Sequence, residues 1–253
     1  MNGTARLLRI TSSDLSGNSF GTDTDLDFRT NDQDLHGIHR IIMKSAIVPN
    51  SHYNINRYNN ILKIDGPDML QPTLIEQGQY NMSQFLVALK QVLDVAASPY
   101  TFQITQDPIT RKLMFVKSGG AEFTLYGKAS GNKMWREAGC KLDVTSVGLV
   151  AFSSAIPDLS GLRQVYIESL IAGQQVMTGD DNKYSALGNI LMDVPFGAYK
   201  KIEFDEQTLN QVTFRGPKNI SRIDLRFTDD QNRELSFNGL DFILIFEVHS
   251  VGA

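Results

Sequence analysis

The chain is short of cysteine, of surplus positive charge and of long apolar runs, and each shortage closes off a class of protein. Cys140 is the only cysteine, so no internal disulfide forms and a disulfide-stapled secreted fold is excluded. No apolar stretch approaches the roughly 20 residues that a membrane-spanning helix needs. The opening Met1-Asn2-Gly3-Thr4-Ala5-Arg6 lacks the charged, apolar and small-residue sections of a signal peptide. These features together point to folding in the cytosol or nucleus. A net charge of −4 offers no general surplus of Lys and Arg to neutralise phosphates, which argues against stable nucleic-acid binding.

Chemical signatures are equally scarce. There is no G-x-S-x-G elbow and no H-E-x-x-H helix, and nothing around Cys140 marks a nucleophile. His52 and His249 stand alone as candidate bases, and a lone histidine is more often structural or exposed. Gly127-Lys128 lacks both the glycine five residues earlier and the following Ser or Thr of a phosphate-binding loop. His36 and His39 are three apart, a spacing that suits metal ligation on a helix but points to opposite faces of a strand. Asp23, Asp25 and Asp27 alternate like the carboxylates of a calcium loop, yet Phe28 stands where the turn needs Gly and Asp34 where it needs a bidentate Glu. A glycosidase carboxylate pair among the 28 acidic residues leaves no sequence signature, because only its separation in space matters. The expectation is a protein that is not an enzyme, with no catalytic, cofactor-binding or metal-ligating residue and no cofactor.

What is present is β patterning. Ile223, Leu225 and Phe227 alternate with Arg222, Asp224 and Arg226, the period of a strand with one face on a core. Asp229 to Asn232 supply turn chemistry, and Leu235 and Phe237 resume the alternation up to Asn238-Gly239, which reads as a hairpin. Asp241 to Val248 is apolar on both faces and should have a layer on each side, or bridge the fold and a partner. Ala5–Thr11 reads as an edge strand, Ile38–Val48 as a central one, and Ser12–Leu35 as an exposed polar arm. Further strands are expected at 61–64, 72–75, 100–105, 113–116, 121–126, 144–152, 162–171, 186–194, 199–204 and 211–214. The one convincing helix is 82–97, with Phe85, Leu89, Val92, Leu93 and Ala96 on one stripe, Asn81 as N-cap and Gln84 completing a capping box. Trp135 should anchor a loop or single helical turn to the core. No linker divides the chain. The spacing predicts an all-β fold, a single jelly-roll sandwich with one main helix and long loops, as a domain at 36–253 preceded by a polar strand and arm at 1–35.

Four stretches carry a family resemblance. They are Lys44-Ser45-Ala46-Ile47-Val48-Pro49-Asn50-Ser51-His52-Tyr53-Asn54-Ile55-Asn56; Gly78-Gln79-Tyr80-Asn81 with Phe85, Leu86 and Leu89; Lys112-Leu113-Met114-Phe115 after Thr110; and Ile223 to Phe227 through Asp230, Leu235, Asn238-Gly239 and Phe242. In order and texture, from about residue 36 onward, the chain resembles the minor capsid, or penton, proteins of virophages, Polinton-like viruses and related large double-stranded DNA viruses. The resemblance implies a single jelly roll and a structural virion role, closing icosahedral vertices as a homopentamer against a major capsid protein. It also implies assembly in the host cytoplasm or nucleus. The acidic stretch before Leu35 has no counterpart in that pattern. The chain looks short for a penton with a large outer insertion, so an undecorated vertex protein is expected. Loops at 158–161 and 171–182 suit subunit contacts. The alternative is a lectin-like or fibre-base sandwich that binds rather than builds.

Overall fold

Apolar alternation resolves into strands that form two sheets around one core. The computed structural model describes residues 4–12, 25–29, 35–67, 73–127, 134–172, 185–204 and 210–251. The strands of the sandwich are β1 (Thr4–Thr11), β2 (Asp25–Arg29), β3 (Leu35–Pro49), β4 (Gln164–Ser169), β5 (Ser185–Leu191), β6 (Tyr199–Glu203), β7 (Gln211–Ile220), β8 (Arg222–Thr228) and β9 (Ile243–Ser250). One sheet runs β1-β9-β3-β6, with β7 also paired to β3, and the other runs β5-β4-β8-β2. All pairings are antiparallel. Because β6 and β7 follow one another along β3, they fill a single row. The chain then visits the rows in the order of a jelly roll: first, last, third and sixth in one sheet, and second, seventh, fourth and fifth in the other. The fold is all-β, as the alternation predicts.

The two sheets share a core of Ile10, Ile41, Met43, Val165, Ile167, Leu225, Phe227, Leu244, Phe246 and their neighbours. Each fully buried side chain of this size contributes about 1.5–3 kcal/mol. The residues expected to continue a hairpin do not form a strand. After Thr228 the ladder keeps one isolated bridge to Glu234, and Leu235, Phe237 and Phe242 turn inward. There the Phe227 ring meets Phe237 at 5.1 Å and Phe242 at 4.5 Å. Alternation in a loop that fills a core looks the same in sequence as alternation in a strand. The Asp229 carboxylate holds the turn by accepting from the backbone N–H groups of Gln231 and Arg233 at 2.9 Å each. The final strand, β9, is central between β1 and β3, but only Leu244, Phe246 and Val248 are buried, while Ile243, Ile245 and Glu247 on its other face are half-buried. The second layer expected there is not formed by the described residues.

Two further departures concern organisation. The backbone packs as two compact units, 1–52 with 162–253, and 53–161, so an inserted unit lies between β3 and β4 in the chain. Strands read from 61 to 152 belong to this unit. The stretch read as an arm also contributes structure: β1 pairs with β9 along its whole length, at an edge as expected, and Asp25–Arg29 pairs with β8. Residues 13–24 and 30–34, including Asp23 and Asp34, lie outside the described residues.

The inserted unit has its own core of Phe85, Leu89, Leu93, Phe102, Phe115, Trp135 and neighbours. Its helix α1 (Met82–Ala96) starts at Asn81 with the capping box to Gln84 formed in both directions. Trp135 sits fully buried in the short helix α2 (Met134–Glu137), its Nε1 donating to the Lys63 carbonyl at 2.6 Å. The predicted hairpin is present as 102–106 and 113–117, whereas 144–152 is broken into Val144–Thr145 and Val150–Phe152 by Gly148 at φ +61°.

Asn54 closes this unit. Its Nδ2 donates to the carbonyls of Tyr80 at 2.8 Å and Leu159 at 3.0 Å, and its Oδ1 accepts from the Tyr80 N–H at 2.9 Å. Asn54 is buried, 5% exposed, so its removal leaves several backbone groups without partners. Asn54→Ala should destabilise the inserted unit by about 3 kcal/mol. The fluorescence of Trp135, the sole tryptophan, should report an earlier melt of that unit in a thermal scan.

Candidate functional site

The residues singled out from sequence are dispersed. His52 is buried, and its Nδ1 accepts from the Ser236 N–H at 3.1 Å, which makes it a structural acceptor. His39 sits in an irregular part of β3, where the register with β9 shifts between His249 and Ser250. Its ring lies 6.0 Å from that of His249, and His249 Nε2 is 3.1 Å from Glu247 Oε1. His36 is exposed nearer the start of β3. Among the described residues no three His, Cys, Asp or Glu gather to hold a metal ion. Asp25 and Asp27 lie on the β2 backbone opposite Arg226 and Asp224, not in a turn of calcium-loop shape.

Gly127 is fixed by packing. A Cβ there would stand 2.0 Å from the Cys140 carbonyl oxygen and 2.4 Å from that of Leu142, while Lys128 is outside the described residues. The 158–161 loop is held rather than pliant, since Asp158 Oδ1 accepts from the Ser160 N–H at 3.1 Å and its hydroxyl at 2.7 Å. Of 171–182 only the end of the 3-10 turn Leu170–Ala172 is described. That turn is capped by the buried Asp224 carboxylate, which accepts from the Leu170 N–H at 2.7 Å and the Ser169 hydroxyl at 3.2 Å.

Two arrangements escaped sequence reading because their members are far apart in the chain. On β4 and β8, Arg226 lies between two carboxylates, 3.6 Å from Glu168 and 3.8 Å from Glu234. Burial pushes the Glu168 carboxyl above its ordinary range, against the lowering effects of Arg226 and Thr228. On the inserted unit, Asp65, Thr124 and Thr145 form one row across a small sheet, and with Gly66, Pro67 and Glu122 they line an open groove of about 390 Å³. Its acids already accept hydrogen bonds: Asp65 from the Gly66 N–H and the Tyr126 hydroxyl, each at 2.9 Å, and Glu122 from the Gly148 N–H at 3.0 Å. Asp65 in turn pushes the Tyr126 hydroxyl's pKa up, chiefly through that hydrogen bond. The groove thus brings together two carboxylates and two threonines, and both carboxylates are engaged by backbone N–H groups of the chain itself.

No family model matches the chain, and no curated protein matches it. Among solved structures, the chain is similar to the crystal structure of the selenomethionine-labelled mavirus penton protein, with 12% identity and a TM-score of 0.47, covering 98% of this chain and 100% of that one. A likeness at this level leaves the fold to be argued from the strand order itself.

Two predictions follow from burial. Burial pushes the Cys140 thiol up to about 12, opposed only by a hydrogen bond with the Ser154 backbone, so a thiol reagent at pH 8 should leave the folded chain unlabelled and modify it once denatured. For Glu168, a raised folded pKa means stability that is complete below the unfolded value is lost as pH rises through the folded one. Glu168→Gln should thus melt higher than wild type at pH 7, by about 1–2 °C, and the difference should vanish as pH falls to 4.

Proposed function

We propose that this chain is a structural virion protein, a minor capsid or penton subunit that closes icosahedral vertices as a homopentamer and contacts a separate major capsid protein. The observation that carries the reading is the jelly-roll strand order, taken with where the resembling stretches fall. The exit from β3 at 44–56 and the helix entry at 78–81 are joined through the hydrogen bonds of Asn54 to Gln79 and Tyr80. Within the sandwich, the 223–242 stretch meets that same exit, where Ser51 donates to the Phe237 carbonyl at 2.7 Å, Asn238 donates to the Ser51 carbonyl, and Ser236 donates to His52. Within each unit, resembling stretches that are apart in sequence are thus joined by hydrogen bonds. The mavirus protein is named a penton protein; strand order and residues carry the proposal for this chain.

A capsid subunit needs a rigid body and contact surfaces, and His52, Asp65 and Glu122 are committed to holding backbone N–H groups. A five-fold ring uses heterologous contacts, so two different surfaces of each copy must meet. The net charge of −4 favours protein neighbours over bare genome. The carbohydrate-binding alternative draws on the groove of Asp65, Thr124 and Thr145 and would be supported by retention on a glycan array. Native mass measurement, alone and after mixing with the major capsid protein of the same source, tests the capsid reading. A pentamer, or a complex with capsid hexamers, is expected. A chain that stays monomeric and binds neither contradicts it.

A further inference from the structure

The sandwich has one edge that differs from the others in how it is protected. An edge strand presents a row of free backbone N–H and C=O groups, and folded proteins guard such rows with charge, proline or irregularity. β1 carries Arg6 and Arg9, β2 alternates Asp25, Asp27 and Arg29, and the β6–β7 row carries Lys201 with Pro217 and Lys218. β5 reads Ser-Ala-Leu-Gly-Asn-Ile-Leu, with no charge and no proline.

Among the described residues β5 pairs only with β4. Beyond its end, Met192 N donates to the Arg163 carbonyl at 2.9 Å, and the antiparallel alternation therefore turns the N–H and C=O of Leu191 and Asn189 outward. Among the described residues nothing pairs with that outer side. The extra residue of the strand falls near Leu187, where the register shifts, and leaves Gly188 to Leu191 regular. Leu191 is 63% exposed, and Phe196 and Tyr199, just after it in the chain, are 41% and 47% exposed. An edge without charge or proline, regular from Gly188 to Leu191, is thus followed by large exposed apolar side chains.

The geometry points to β5 as a pairing edge for a second copy of this chain, β5 against β5 in antiparallel register about a two-fold axis. Only another extended backbone supplies donors and acceptors at the repeat of that row. Among the edges a second copy offers, the other three bring charge or proline against it, whereas β5 brings none. Self-pairing is the isologous contact in which one surface meets itself, and it joins two four-stranded sheets into one continuous sheet. This contact is independent of the capsid reading, because a ring closes through two different surfaces.

Sedimentation of the whole chain over a micromolar concentration range tests it, with Leu191→Lys and Asn189→Pro as variants. Proline at 189 removes an outward N–H and fixes the local backbone, and lysine at 191 adds charge at an exposed position, so an unchanged melting temperature of each variant certifies its fold. The expected result is concentration-dependent pairing of copies of the 28.2 kDa chain, as dimers or as paired rings, whose dissociation constant rises at least about tenfold in Leu191→Lys, a loss of about 1.4 kcal/mol. A nitroxide on Asn189→Cys, with Cys140 buried and unreactive, should show a short intermolecular distance. A chain that remains monomeric at its solubility limit overturns the inference. So does association that both variants leave intact, or labels with no intermolecular coupling.

Discussion

An insertion into a β-sandwich is tolerated when its two ends are held together, and here one buried amide does this. Asn54, near the start of the inserted unit, donates to the Leu159 carbonyl, near its end, and to the Tyr80 carbonyl at the entry to the helix. Gly161, at φ +72°, passes within 3.4 Å of the Asn54 side chain at the position a Cβ would take. Around it, Asn59 donates to the Asn54 carbonyl at 2.8 Å and its Oδ1 accepts from the Asn56 N–H at 2.7 Å. Buried amides cost stability unless every donor and acceptor finds a partner, so this asparagine-rich segment is held by its hydrogen bonds together with Ile55, which is buried in the unit's core. The sandwich strands on either side, β3 and β4, each pair within their own sheet.

Much of the fold is legible in the sequence because its signals are local. β3, β8 and β9 show their inner faces by period two, and α1 announces both its stripe and its cap, which the structure reproduces at Asn81 and Gln84. The strands of the inserted unit are also present in the pattern, but membership in a unit is not a local property. Nothing in the composition near His52 or Gly161 marks a boundary, because the closure is made by hydrogen bonds between residues about a hundred apart. Leu235 and Phe237 alternate as a strand would, yet the Phe227, Phe237 and Phe242 cluster draws them inward without a ladder. Period two records which residues face a core and not whether their backbones pair.

The candidate sites show the same division. Cys140 and His52 stand in the sequence without a motif around them; in the structure the thiol is desolvated and the imidazole accepts from a backbone N–H. The Glu168–Arg226–Glu234 group and the Asp65–Thr124–Thr145 row have no sequence signal, since each depends on strand register. The unguarded character of β5 was present in the sequence as an absence of charge. It acquires meaning only when the topology makes that strand an edge.

The central claim is that residues 53–161 form a self-contained insertion in a jelly roll that is complete without them, each unit having its own core. The most direct measurement replaces 53–161 by a short flexible linker between His52 and Leu162, and compares that chain with isolated 53–161 by circular dichroism and thermal melting. The account predicts a cooperative, β-rich sandwich from the first and a cooperatively folded unit with buried Trp135 from the second. Loss of cooperative melting in both would contradict it.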